Sequence, residues 1–149
     1  MIGLADCNNF SASCERAFNP KLRNKPIVVL SNNDGCVIAR SNEARALGIK
    51  MGEPAFKIKS LIDKNKVNVF STNFALYGDM SDRVMSVMRE EVEVMEVYSI
   101  DEAFLDFSDL VDLDRALALI KKVKQWTGIP ISIGLAPTKS LAKVANHIA

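Results

Sequence analysis

The chain has 149 residues, 48% of them apolar and 25% charged, with a formal net charge of +1. That length can bury a real core in one or two compact units, while no apolar run approaches the roughly 18 residues of a membrane span and the first residues lack the pattern of a secretory signal. Cys7, Cys14 and Cys36 show no CxxC spacing, which fits a reduced cytoplasmic setting, and a single histidine, His147, excludes a histidine-rich zinc site.

Residues 2–5 are all apolar and predict a buried strand that ends on an acid, Asp6. Asn9 or Ser11 can cap a short helix to Phe18, stopped by Pro20. Residues 26–30 and 36–40 predict two strands around the turn Ser31-Asn32-Asn33-Asp34-Gly35. Short helices are expected over 43–47, ended by Gly48, and over 56–62, followed by a strand over 67–70. A long helix over 73–91 places Tyr77, Met80, Val84, Val87 and Met88 on one face. A hairpin over 94–100 and 103–107 encloses the pair Asp101-Glu102. Asp112 can cap a helix to Trp126 with Leu113, Leu117, Ile120 and Val123 inward, ended by Gly128 and Pro130. A strand over 131–135 and a helix from Thr138 complete the chain. That last helix runs to Ala149 without Gly or Pro, so the chain is expected to be a fragment of a longer one.

With residues 11–72 set aside, the order is β, α, β, β, α, β, then α. This is the ferredoxin-like split βαβ pattern, and the fold class is α/β (α+β) with residues 11–72 as an inserted small α/β subdomain. The insert holds 11 Lys/Arg against 5 Asp/Glu, a net of +6, and the remainder carries −5. Read alone, that is ordinary solvated charge. Beside a cluster of acids, it suits an anionic partner that meets metal ions on the acidic side.

Asp6, Asp101 and Glu102 carry the chemistry. An acid ending a buried strand and an acidic pair inside a buried hairpin are costly to fold, and like charges held together repel. Taken singly, Asp101-Glu102 reads as a surface turn and Asp6 as a helix cap. In this topology, however, the first strand and the hairpin are neighbours, so the three can meet. Two metals about 4 Å apart could then clamp the attacking and leaving oxygens of an in-line displacement, and oxygen ligands with open water positions suit Mg²⁺.

Three motifs now carry a resemblance. Asp6-Cys7-Asn8-Asn9-Phe10-Ser11-Ala12-Ser13-Cys14-Glu15, Tyr98-Ser99-Ile100-Asp101-Glu102-Ala103-Phe104-Leu105-Asp106 and Gly134-Leu135-Ala136-Pro137-Thr138-Lys139-Ser140-Leu141-Ala142-Lys143 resemble, in order, the motifs of the Y-family translesion DNA polymerases. Residues 29–40 are similar to the UmuC branch of that family. The resemblance implies a palm over 1–10 and 73–149 and fingers over 11–72, with thumb and little-finger domains beyond Ala149. The implied reaction is templated DNA synthesis past damaged bases, as in DNA repair and the SOS response, by two-metal nucleotidyl transfer. The isolated fragment is expected to be inactive or weak.

The resemblance also implies roles. Asp6, Asp101 and Glu102 match the catalytic metal-binding triad, with the backbone carbonyl of Cys7 as a further ligand and Mg²⁺ as the metal, two ions, replaceable by Mn²⁺. The amides of Asn8, Asn9, Phe10 and Ser11 open a helix and could cradle the triphosphate. Arg45 and Lys143, with Lys139 less closely matched, correspond to phosphate or primer-end contacts. Ser31, Cys36 and Gly52 match small residues beside the nascent base pair. Two positions depart from the pattern. Ser11 stands where the family usually has the Tyr or Phe of the sugar gate, and Asn42 stands where many members have a phosphate-binding Tyr. The implied partners are a DNA primer-template and a dNTP, with a UmuD-like subunit, a RecA-like filament and a sliding clamp reached through regions beyond this chain. The implied location is the bacterial nucleoid in the cytoplasm. Two other readings use the same acids or none of them: a palm-type nucleotide cyclase, against which stands the lack of a Gly-Gly-Asp/Glu-Glu-Phe hairpin, and a non-catalytic DNA- or partner-binding scaffold.

Overall fold

The computed structural model describes residues 1–107 and 113–148. In chain order the elements are β1 (Ile2–Cys7), α1 (Phe10–Phe18), β2 (Ile27–Leu30), β3 (Val37–Arg40), α2 (Asn42–Ala46), α3 (Lys59–Asn65), β4 (Asn68–Ser71), α4 (Phe74–Glu91), β5 (Val94–Ser99), β6 (Glu102–Asp106), α5 (Leu113–Thr127), β7 (Ile131–Ala136) and α6 (Lys139–Ile148). Single 3₁₀ turns lie at Pro20–Leu22 and Ala55–Ile58. No helix among the described residues is long and apolar enough to cross a membrane. The chain divides into two compact units, one of Met1–Asn8 with the residues from Tyr77 onward, the other of Asn9–Leu76.

The first unit is built on a four-stranded antiparallel sheet in the order β5-β6-β1-β7. This is the expected ferredoxin-like arrangement. Its register sets Leu4 opposite Phe104 and Gly134, and Asp6 opposite Glu102 and Ser132. Strand alternation therefore puts Leu4, Asp6, Glu102 and Phe104 on one face and Ala5, Ala103 and Leu105 on the other. The first face is closed in part by α6, whose Ala142 packs with Leu4, Phe104 and Ala136. Along α4, Tyr77, Met80, Val84, Val87 and Met88 are all buried, as their helical spacing predicts.

Helix α5 corrects the sequence reading in part: Val123 is buried as expected and Ile120 is half-buried, but the rest of the inward face differs. Ala116, Leu119 and Val123 are its buried residues, while Leu113 and Leu117 are 60% and 55% exposed. Two apolar stripes lie about one residue apart in phase, and periodicity alone does not choose between them. The observed rotation also brings two polar side chains to partners. Arg115 donates to the Glu91 carbonyl at 3.0 Å and lies over the Phe107 ring, and Lys122 pairs with Glu91. The expected cap Asp112 lies outside the described residues. At the other end the helix stops at Thr127 because Gly128 turns left-handed, φ +79°, and donates its N–H back to Lys124.

The second unit has a three-stranded sheet in the order β3-β2-β4, antiparallel on one side of β2 and parallel on the other. All four residues of β2 are buried. Val28 and Leu30 join Val37, Ala44, Ile49, Ile58 and Val67 in the main core, and Ile27 joins Ala12 and Leu22 in a smaller one. Ser41, itself buried, accepts from Ala44 N–H to cap α2 and from Ile27 N–H to tie that helix to β2. Two local expectations change. Asn9 precedes α1 in a left-handed conformation, φ 47°, without a side-chain cap bond. The single helix expected over 56–62 is a 3₁₀ turn followed by α3.

The close approach of α6 to β7 rests on Gly134. A Cβ there would meet Asn146 N at 2.2 Å and Ala142 O at 2.5 Å, both backbone atoms. Gly134→Ala is expected to force α6 off the sheet and to cost about 1–3 kcal/mol of stability, read as a lower midpoint in urea unfolding. An unchanged midpoint would contradict the packing.

Candidate metal centre

The site is a product of strand pairing. Antiparallel pairing of β1 with β6 sets Asp6 beside Glu102. The connection from β5 to β6 then supplies Asp101, whose carbonyl accepts from Cys7 N–H at 2.8 Å. The Asp6, Asp101 and Glu102 side chains each offer an oxygen, and these oxygens all lie within 4.8 Å of one another. Among the described residues no other group of three His, Cys, Asp or Glu side chains converges in this way.

The turn is held from several sides. Ser99 donates its hydroxyl to Asp101 Oδ1 at 2.9 Å, and Ser81 of α4 donates to the Ile100 carbonyl at 2.5 Å. A register shift between Val97 and Ser99 lets the strand bend there. On the other side of Asp6, the Asn146 amide donates to the Leu4 and Ser132 carbonyls at 2.9 and 3.2 Å. Ser132 in turn donates to Asn8 Oδ1 at 3.2 Å, and Asn8 N–H donates to Pro130 O at 2.9 Å. Sequence reasoning quoted Ser99 inside a motif without giving it a role, and it passed over Ser81, Ser132 and Asn146. Their signal is three-dimensional, because each acts on residues distant in sequence or on backbone.

Burial and mutual repulsion act on these acids together. Glu102 Oε2 is buried with no hydrogen-bond partner. Burial first, and then the charges of Asp101 and Glu102, together push the Asp6 carboxyl up from its ordinary 3.8 to about 6. A buried carboxylate oxygen without a donor, beside two more carboxylates, is the donor set of a hard divalent cation. The residues present fit such an ion.

Two lysines of α6 face the same sheet. Lys143 donates to Tyr98 Oη at 3.1 Å with its Nζ 4.6 Å from that ring's centre. The bond to Tyr98 raises the ammonium's pKa, and the Glu102 charge adds to it. Lys139 pairs with Glu96 at 2.5 Å and lies over Phe104. The Cys7 side chain is buried.

The other expected residues fall in the second unit. The Asn9 amide donates to Asn42 Oδ1 at 3.1 Å, which brings two of the expected nucleotide contacts together. Phe10 is buried in α1, Ser11 is half-buried, and Arg45 is exposed on α2. Ser31 and Cys36 close one turn, with Ser31 N–H donating to Cys36 O at 2.8 Å and the Ser31 hydroxyl accepting from Cys36 N–H at 3.2 Å. Gly52, φ +77°, donates to Val37 O at 2.8 Å and so lies next to that turn.

The impB/mucB/samB family profile matches residues 5–147. The chain belongs to the impB/mucB/samB family. It is 51% identical to the protein ImpB of Salmonella typhimurium over 98% of this chain and 35% of that protein. It is 50% identical to the protein UmuC of Salmonella typhimurium over 100% of this chain and 36% of that one. The chain thus spans about a third of the length of the curated relatives it matches. Among solved structures it is similar to the insertion ternary complex of Dbh DNA polymerase, with a TM-score of 0.89 and 29% identity over 99% of this chain and 46% of that one. The resemblance of the three motifs to those of the Y-family polymerases, including the likeness to UmuC, is borne out by these matches.

Asp6 supplies a pH test. Its carboxyl holds a proton up to about pH 6 in the folded chain, against 3.8 ordinarily. The folded state therefore binds the extra proton between those values, and its stability falls as pH rises through them. The metal-free melting temperature is expected to drop over that window relative to Asp6→Asn, which cannot titrate there. A divalent ion should raise the melting temperature at about pH 7.5 and do so less at about pH 5, where protons compete for the ligands. Identical pH profiles for the two proteins would count against the cluster.

Proposed function

We propose that this chain provides the palm and fingers of a translesion DNA polymerase. Residues 1–10 and 73–149 would be the palm and 11–72 the fingers. The observation that carries this reading is the convergence of carboxylate oxygens of Asp6, Asp101 and Glu102 within 4.8 Å, with the Glu102 Oε2 buried and without a hydrogen-bond partner. The division of the chain into two units near these boundaries supports it, as does the name DNA polymerase borne by the protein in the similar complex.

The reaction is attack of a primer 3′-OH on the α-phosphate of a dNTP, templated by DNA. Two divalent ions, Mg²⁺ with Mn²⁺ as a substitute, would supply charge neutralisation at the attacking and leaving oxygens. Asp6 and Asp101 would hold both, with the Cys7 carbonyl adding a ligand, and Glu102 would complete the set nearest the 3′-OH. The amides of residues 8–11, with Asn42, Arg45 and Lys143, would bind the triphosphate and the departing pyrophosphate. Ser31, Cys36 and Gly52 would leave room beside the nascent base pair. For the protein this is positioning and charge stabilisation, with little covalent work. The primer-template and dNTP are the direct partners. A UmuD-like subunit, a RecA-like filament and a sliding clamp would be met by other parts of the full-length protein.

Ser11 bears on which sugar is accepted. Phe10 beside it is buried, so an aromatic gate from that neighbour is not on offer. A small side chain at position 11 would discriminate weakly against a ribose 2′-OH.

Primer extension across an abasic site by the full-length polypeptide tests the proposal. Metal-dependent extension with dNTPs is expected, with a loss of at least about a thousandfold in Asp101→Ala and an unchanged circular dichroism spectrum. Ribonucleotides should also be incorporated, and Ser11→Tyr should suppress them. Extension retained by Asp101→Ala would overturn the assignment. Rejection of ribonucleotides by the wild type would overturn the open gate.

A further inference from the structure

We propose that Phe56 is a stacking platform for an unpaired nucleobase in a single strand of nucleic acid, with Lys57 and Lys59 beside it on the strand's phosphates. The inference rests on the polymerase reading, in which an unpaired strand is the template ahead of synthesis.

Phe56 is 78% exposed, more than any other large apolar side chain among the described residues. It is not a frayed core residue. It sits in the 3₁₀ turn Ala55–Ile58, whose other residues are anchored. Ile58 is 5% exposed within the main core of the second unit, and Ala55 packs against the same cluster. Ala55 N–H donates to Gly35 O at 2.9 Å, and Pro54 bridges to Cys36. Three residues per turn send Ala55 and Ile58 inward together and leave Phe56 pointing out. Lys57 follows Phe56 directly, Lys59 opens α3 three residues on, and both are exposed. The ring is thus displayed by an anchored backbone in a stretch of chain that carries two nearby cations.

The surroundings select the ligand. Lys50, Lys57, Lys59, Lys64 and Lys66 are all exposed, and among the described residues none enters an ion pair. Over residues 50–66 these five face two acids, Glu53 and Asp63. The only other exposed large apolar side chain in that stretch is Met51. An apolar protein-docking surface would need a contiguous patch, which one ring between lysines does not make. A nucleobase offers a π-face to the ring, and its flanking phosphates offer charge to the lysines, the combination that single-strand binders use.

The test is binding of the full-length polypeptide to a fluorescent oligo-dT of about 16 nucleotides, without metal or nucleotide, across a salt series. Phe56→Ala should weaken binding about tenfold with an unchanged salt slope, and Phe56→Trp should restore it. Lys57→Glu with Lys59→Glu should instead flatten the slope of log K against log salt by roughly 1.4, about 0.7 per lost phosphate contact. A blunt duplex of the same length should be indifferent to Phe56→Ala. Unchanged oligo-dT affinity in Phe56→Ala, or an equal loss on the duplex, would overturn the platform. Primer extension by the same full-length polypeptide serves as the second arm. Loss of the Phe56 effect with intact primer extension sinks the platform alone. A Phe56 effect without any extension sinks the polymerase reading alone.

Discussion

Everything chemical in this chain depends on the register between β1 and β6. Pairing Ile2 with Asp106 leaves Asp6 level with Glu102 at the far end. Two carboxylates are thereby set side by side, and the backbone bond from Cys7 to Asp101 draws a third to them. A slip of one residue would turn Asp6 to the opposite face, among Ala5, Ala103 and Leu105. The apolar neighbours Leu4 and Phe104 hold the register, because their burial under α6 would be lost in the same slip. The hydrophobic core thus enforces an electrostatic arrangement that the acids alone would avoid.

The supporting contacts share a logic. Ser99 and Ser81 fix the turn that carries Asp101, and Asn146 clips the carbonyls on either side of Asp6. None of these groups is charged, so they orient the carboxylates without neutralising them. The negative charge is left for something outside the chain. The second unit has the opposite character: an ion pair of Arg16 with Glu43 joins α1 to α2, and most of its other lysines and arginines project into solvent. Acid held inward and base held outward suit a polyanion that is bound by one group of residues and acted on by another.

Much of this was legible in the sequence. The order of apolar segments is enough for the ferredoxin-like topology, since a β-α-β-β-α-β chain has few ways to close a single sheet. The same topology makes the meeting of Asp6 with Asp101-Glu102 legible in the sequence. The rotation of α5 was not legible, because in the sequence Leu113 and Leu117 make as good an apolar stripe as Ala116 and Leu119. The Asn146 amide was hidden for a similar reason. Its targets are backbone carbonyls, which leave no trace in side-chain patterning. The 3₁₀ turn at Phe56 was read as helix because 3.0 and 3.6 residues per turn cannot be told apart over four positions.

The thiols have a practical consequence. Cys7 and Cys14 are buried, and burial pushes the Cys14 thiol up to about 12, with the Glu15 charge adding to that. Cys36 is the half-exposed one, in the turn beside Ser31. An alkylating reagent that needs a thiolate would therefore find one address in the wild-type chain. A spin label or fluorophore could be installed there without first engineering the other cysteines away, and it would report from the very turn where small side chains are expected to leave space.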